Sequence, residues 1–209
     1  MHSPLVPVTE DIFQVHLPLP FALNRVNCYL LRGADGWTIV DTGLNTPEGR
    51  AAWDQAFAAL GITPADITQI VLTHAHPDHF GMTGWFQEQV GAPVYLSERE
   101  AEFARSAWME HRMMQGFDDY LTALGMPAGM AQTVAQGLVS TGAMTYPHPT
   151  RLDIIQPGDE IQLGKRRFQI IATPGHSDGQ IIFYDPDDRL LLCGDHVLMK
   201  ITPNVGIWP

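Results

Sequence analysis

Residues 70–79 run Ile-Val-Leu-Thr-His-Ala-His-Pro-Asp-His, an apolar strand pattern that passes directly into three histidines and an aspartate. This feature constrains the fold more than any other. A strand must be buried to hold such a run, and its end must then deliver His74, His76, Asp78 and His79 to one place. Three imidazoles and a carboxylate within six residues are costly to bury unless something positive unites them. Neutral imidazole nitrogen and carboxylate oxygen are the ligands that zinc, iron and manganese accept. His74 and His76 alternate, so a turned loop can aim both at one ion. Asp78 and His79 lie further on and can point at a second, and two neighbouring metals would share a bridging water. One histidine alone is more often a satisfied core residue or a solvated side chain; four candidate ligands at a strand end are not explained that way.

The flanking sequence predicts a mixed α and β fold. Cys28-Tyr29-Leu30-Leu31 and Trp37-Thr38-Ile39-Val40 are apolar runs separated by the turn residues Gly33-Ala34-Asp35-Gly36, which predicts a β-hairpin. Asp41-Thr42-Gly43 closes it. Thr46 caps a helix with Pro47 at its first position; Trp53, Ala56, Phe57 and Leu60 recur at helical spacing, and Gly61 ends it. A short helix is expected over 83–90, stopped by Gly91, and a strand at Pro93-Val94-Tyr95-Leu96. Ser97-Glu98-Arg99-Glu100 has the spacing of a capping box. It opens a mostly helical insertion over 98–147, with Gly116, Gly125, Pro127 and Gly129 as breaks. Met109, Met113, Met114, Met126 and Met130 make it methionine-rich. Two readings are open: a helical subdomain packed with flexible core side chains, or a lid over a site. The strand pattern returns after Arg151. The run over 168–173 leads into Pro174-Gly175-His176, and a second hairpin flanks Asp185-Pro186-Asp187-Asp188. Both hairpins finish in an aspartate next to a glycine, Asp41-Thr42-Gly43 and Gly194-Asp195, which suggests a two-fold pseudo-symmetric sandwich.

Composition bounds the partners. A formal charge of −11 over 209 residues disfavours a phosphate backbone, since nucleic-acid binders carry a basic stripe. Lys165-Arg166-Arg167 is too short to provide one and is expected to be a solvated turn. No apolar stretch is long enough to span a bilayer and no secretion signal opens the chain, so no membrane partner is expected. The two cysteines, Cys28 and Cys193, sit in apolar strand patterns and are expected to be unpaired, buried side chains, which favours a cytoplasmic location. The expected partner is a small-molecule substrate, and a homodimer is open to the chain.

Thr73-His74-Ala75-His76-Pro77-Asp78-His79 resembles the His-x-His-x-Asp-His signature of the metallo-β-lactamase superfamily. Val40-Asp41-Thr42-Gly43 is similar to its first motif, Thr173-Pro174-Gly175-His176-Ser177-Asp178-Gly179 to its Pro-Gly-His motif, and Cys193-Gly194-Asp195 to its Gly-Asp motif. The four motifs stand in the family's order and span most of the chain. The resemblance implies an α+β fold, a four-layer αβ/βα sandwich with a dinuclear metal site at one edge of two facing sheets. It implies that His74, His76 and His176 hold one divalent metal, that Asp78 and His79 hold another, and that Asp195 bridges them. Zinc is the first expectation, with iron and manganese as alternatives. Asp41 would then orient a ligand from behind, and His196 is a weaker candidate for the same role. The family adds one more histidine in a fifth motif; His196, adjacent to Asp195, is wrongly placed for it. The expectation is therefore a single domain over 1–209 with an incomplete C-terminal half and an incomplete second metal site.

The chemistry so implied is hydrolytic, with a metal-bound hydroxide attacking a carbonyl, a metal stabilising the oxyanion, and Asp78 orienting the nucleophile and shuttling its proton. A thioester or ester substrate of the glyoxalase II kind is expected. A lactone or a phosphodiester is the alternative within the same fold, and a non-catalytic metal-stabilised binding module is the alternative outside enzymology.

Overall fold

The computed structural model describes residues 4–199 and 201–205. Two sheets face each other. The first has seven strands in chain order: β1 (Leu5–Pro7), β2 (Ile12–Pro18), β3 (Arg25–Arg32), β4 (Trp37–Val40), β5 (Ile67–Val71), β6 (Val94–Leu96) and β7 (Asp153–Ile154). Strands β1 to β4 pair antiparallel, and β4 to β7 pair parallel. The second sheet is antiparallel throughout, in the order β11 (Leu190–Leu192), β10 (Ile181–Asp185), β9 (Arg166–Ala172), β8 (Glu160–Leu163). Both expected hairpins form, β3 with β4 and β10 with β11.

Helix α1 (Pro47–Leu60) follows from its local signals. The Thr46 hydroxyl accepts from the Gly49 amide at 3.0 Å, and Gly61 ends the helix in the left-handed region at φ 67°. It buries Ala52, Trp53, Ala56 and Phe57 against the first sheet. Trp53 stands edge-on to Phe86 of α3 (Thr83–Val90), and large apolar side chains of this kind each contribute about 1.5–3 kcal/mol on burial. Between β6 and β7 the chain is helical over α4 (Glu98–Ala104), a π-turn (Arg105–Met109), α5 (Phe117–Ala123) and α6 (Ala128–Ala143). Gly116 and Pro127 precede α5 and α6, whereas Gly129 lies inside α6 and does not break it.

The core has two parts. One lies between the helices and the first sheet and includes Trp53, Phe80, Phe86, Ala101, Ala104 and Trp108. The other lies between the sheets, where Ile12, Leu31, Val40 and Val71 meet Phe168, Ile170, Phe183 and Leu192. Strand β4 is buried on both faces, as a central strand between two layers must be. The α+β sandwich expected from the sequence is thus present, with helix, sheet and sheet layers among the described residues. Gln169, Ile171 and Leu191 on the outer face of the second sheet are exposed. Cys28 is buried, Cys193 is half-buried, and both are unpaired.

Arg166 corrects an expectation. It is not part of a solvated turn but the first residue of β9, and its side chain is 13% exposed. Its guanidinium donates to both oxygens of Asp11 at 2.8 Å, to Asp185 at 3.0 Å, and to Asp188. One arginine therefore ties the start of β2 to the second sheet. The basic run hid this, because its charge is consumed by carboxylates remote in sequence.

Candidate metal centre

Four strand ends meet at the edge of the sandwich away from Arg166. After β4 comes Asp41, after β5 the loop over 72–76, after β9 the loop over 173–180, and after β11 the turn Gly194–His196. Short α2 (Pro77–Phe80) carries Asp78 and His79.

These ends bring together the residues that the sequence marks. The ligand atoms of His74, His76 and His176 lie within 4.8 Å of one another, and so do those of His74, His79 and Asp195. His74 belongs to both triads. His76 Nδ1 stands 2.9 Å from His176 Nε2. Asp195 reaches both groups, with Oδ1 3.4 Å from His79 Nε2 and Oδ2 3.4 Å from His176 Nε2. Asp78 Oδ2 lies 3.8 Å from His79 Nε2 and stays partly open to solvent. His196 is exposed and belongs to neither triad.

Asp41 sits behind this cluster, buried, with a left-handed backbone at φ 59° that few non-glycine residues adopt. Its carboxylate accepts from the Thr73 amide and the Thr73 hydroxyl, both at 2.8 Å, and from His79 Nδ1 at 2.9 Å. A carboxylate only accepts, so the His79 proton is on Nδ1 and the Nε2 lone pair faces the cluster. The Thr73 hydroxyl, having given its hydrogen to Asp41, accepts from His74 Nδ1 at 3.0 Å. That fixes His74 in the same tautomer. His176 Nδ1 donates to the Asn204 carbonyl at 2.8 Å, with the same consequence. The two strand-end aspartates therefore approach His79 from opposite sides of its ring. Gly194 allows the second approach: at φ 47° its absent Cβ would lie 2.7 Å from Thr73 Oγ1.

The electrostatics call for a cation. The Nε2 atoms of His74 and His79 are buried and make no hydrogen bond, which is rare for buried polar atoms. Burial and the neighbouring histidines hold His74 well below the usual imidazole range. Burial and His176 push His76 down to about 3. Burial opposes charge on His79 as well, but Asp41, Asp78 and Asp195 outweigh it and raise its pKa. Burial raises the Asp78 carboxyl. For Asp195, burial is outweighed by His79 and His176, and its carboxyl falls to about 2. The neutral imidazoles of His74 and His76 beside the ionised Asp195, with His79 held among Asp41, Asp78 and Asp195, are a donor set that suits a divalent cation.

Two residues outside the sequence motifs, Glu100 and Trp108, and one within the first motif, Thr42, complete the surroundings. Glu100 accepts from the Ala75 amide, Trp108 Nε1 donates to the Ala75 carbonyl at 2.7 Å, and Thr42 donates through its hydroxyl to the His79 carbonyl at 2.8 Å. Glu100 corrects the capping-box expectation. Ser97 does cap α4, accepting from the Glu100 amide at 3.3 Å, but the Glu100 carboxylate turns inward instead of back to Ser97. A signal was available, since Glu100, Ala104 and Trp108 share one helical face, and that face is buried.

The profile described as the metallo-beta-lactamase superfamily matches residues 22–209. The chain belongs to the metallo-β-lactamase superfamily. Among relatives of this superfamily, a probable metallo-hydrolase of Bacillus subtilis, YqjP, is 28% identical over 196 residues, covering 94% of this chain and 60% of the relative. An acyl-coenzyme A thioesterase of Bos taurus, MBLAC2, is 30% identical over 191 residues, covering 83% of this chain and 59% of the relative. A metallo-beta-lactamase family protein of Thermus thermophilus superposes with a TM-score of 0.86 at 32% identity, over 97% of this chain and 64% of that one. The chain thus spans about three fifths of the length of these relatives. The metallo-β-lactamase fold implies divalent metal binding, and the two triads are where the chain's own residues fit it.

Proposed function

We propose that the chain is the metal-binding core of a metal-dependent hydrolase that acts on a carbonyl centre, an acyl thioester or ester. The observation that carries this reading is the pair of ligand triads sharing His74 and spanned by Asp195. His74, His76 and His176 would hold one divalent ion; His79, Asp78 and Asp195 would hold a second, with zinc as the first choice. A divalent cation supplies Lewis acidity there, acidifying a water and polarising a carbonyl. The chain's residues do the rest. Asp41 and Thr73 keep His74 and His79 in the ligating tautomer. Asp78, on the solvent-facing side, orients the nucleophile and accepts its proton; burial raises its pKa toward that role. Asp195 stays ionised and balances the positive charge.

The likeness to proteins named acyl-coenzyme A thioesterase supports a thioester substrate. The charge of −11 weighs against a polynucleotide, and the two unpaired cysteines favour the cytoplasm. No described helix is long and apolar enough to cross a membrane. The test is hydrolysis of acyl-coenzyme A and lactoylglutathione thioesters by the complete protein, followed by free-thiol release. Turnover that is lost on chelation and regained with zinc is expected. Turnover of lactones or phosphodiesters alone would move the assignment within the fold, and metal-replete protein without activity on any of these would make it a binding module.

A further inference from the structure

We propose that Glu100 is a positioning residue that holds the loop of His74 and His76 and the loop of His176 at metal-binding spacing; this rests on the metal-site reading above. The Glu100 side chain is 1% exposed, and a carboxylate there is costly unless every oxygen is used. Every partner comes from the two ligand loops. Oε2 accepts from the amide of Ala75, between His74 and His76, at 2.7 Å. Oε1 accepts from the hydroxyl of Ser177, the residue after His176, at 2.5 Å, and from the Gly179 amide at 2.8 Å. One carboxylate thus spans loops about 100 residues apart in sequence, each carrying ligands of the same triad.

The surroundings stiffen the clamp. The Ser97 hydroxyl donates to the Gly179 carbonyl at 2.7 Å, so α4 grips Gly179 at both backbone groups. Position 179 must be glycine for this approach, because a Cβ there would lie 2.5 Å from Arg99 Cβ and 2.8 Å from the Glu100 nitrogen. The π-turn brings Trp108 Nε1 onto the Ala75 carbonyl, so Ala75 too is held at both its donor and its acceptor. π-turns inside helices concentrate at functional sites. The start of the helical region, over 98–109, therefore braces the ligand loops.

A carboxylate is required rather than an amide. Ala75 and Gly179 both offer N–H groups, and glutamine would turn its own NH2 toward one of them. Glu100→Gln keeps the shape and breaks one half of the clamp. The expected result for the complete protein is unchanged far-UV circular dichroism, a zinc dissociation constant raised about 10- to 100-fold, and shifted visible bands in the cobalt-substituted form. Ser177→Ala, which removes one of the three bonds, should weaken zinc several-fold in the same direction, and it carries the test if Glu100→Gln does not fold. Arg99→Ala, which removes an exposed ion pair to Asp178 on the same helix and loop, should leave zinc affinity and spectrum unchanged. A residue that only stabilised the helix would lower thermal stability and leave affinity and spectrum alone. Wild-type zinc affinity and cobalt spectrum in folded Glu100→Gln, or in Ser177→Ala where Glu100→Gln is unfolded, would overturn the proposal while the metal site stands. Failure of the wild-type protein to bind any metal would instead remove the reading beneath it.

Discussion

The two ends of the sandwich each bury a knot of charge, and they resolve it in opposite ways. At one end Arg166 enters from β9 and each of its donor groups meets a carboxylate of Asp11, Asp185 or Asp188. At the other end, about a strand's length away, His74 and His79 turn their Nε2 atoms inward and find no hydrogen-bond partner. Both knots join the first sheet to the second. The first is a closed set of donors and acceptors, so its role is to fix how the sheets sit. The second is held open by Asp41, which uses up the outer nitrogen of His79 and, through Thr73, that of His74. Buried polar groups are nearly always satisfied, so the end where they are not is the end where a ligand is expected.

The sharpest way to break this contrast is His74→Ala, which removes a donor from both triads. If metal supplies several kcal/mol of transition-state stabilisation, activity should fall by about three orders of magnitude, with bound metal falling in elemental analysis. Arg166→Ala should do the reverse. It leaves the buried Asp185 without an ion pair and the buried Asp11 with only Lys165 at 3.9 Å, which costs about 3–5 kcal/mol in urea unfolding, while metal content of the folded protein stays unchanged. A large loss of metal in Arg166→Ala would show that the two ends are not separable. Asp41→Asn tests how the open end is held. It leaves the ligands in place but frees the His79 tautomer, and zinc affinity measured by chelator competition should drop about 10- to 100-fold.

The smallest expected effect is a pH dependence at the closed end. Burial alone would raise the Asp11 carboxyl, but Arg166 and Thr9 outweigh it and hold the pKa below its ordinary 3.8. A depressed folded-state pKa contributes stability that is present above the unfolded value and is lost as pH falls through the folded one. Stability against urea should therefore decline below about pH 4, and Asp11→Asn should flatten that decline. An unaltered pH profile in Asp11→Asn would show that Arg166 does not hold the Asp11 charge.

How much of this was legible depends on sequence distance. Helix α1 was readable end to end because Thr46, Pro47 and Gly61 act on neighbours within a few residues. The β3–β4 and β10–β11 hairpins were readable for the same reason. Strand β2, by contrast, went unread: Ile12, Val15 and Leu17 are buried, but the interspersed polar Gln14 and His16 leave no continuous apolar run. The site divides similarly. His74, His76, Asp78 and His79 stand together in one decapeptide, and His176 and Asp195 in short motifs. Glu100 was visible only as a cap, because a glutamate three residues after a serine fits a helix start whether its carboxylate turns back or inward.

The sequence by itself determined the candidate ligands, the helix caps and the hairpins, since each is written by residues within one turn or one strand of each other. Only the tertiary structure decided which face of each ligand is free and what holds it there. Asp41 meets His79 across 38 residues, Glu100 meets Ser177 across 77, and Arg166 meets Asp11 across 155. No local signal encodes such pairs, because a carboxylate's partner is set by where packed sheets carry it and not by its neighbours along the chain.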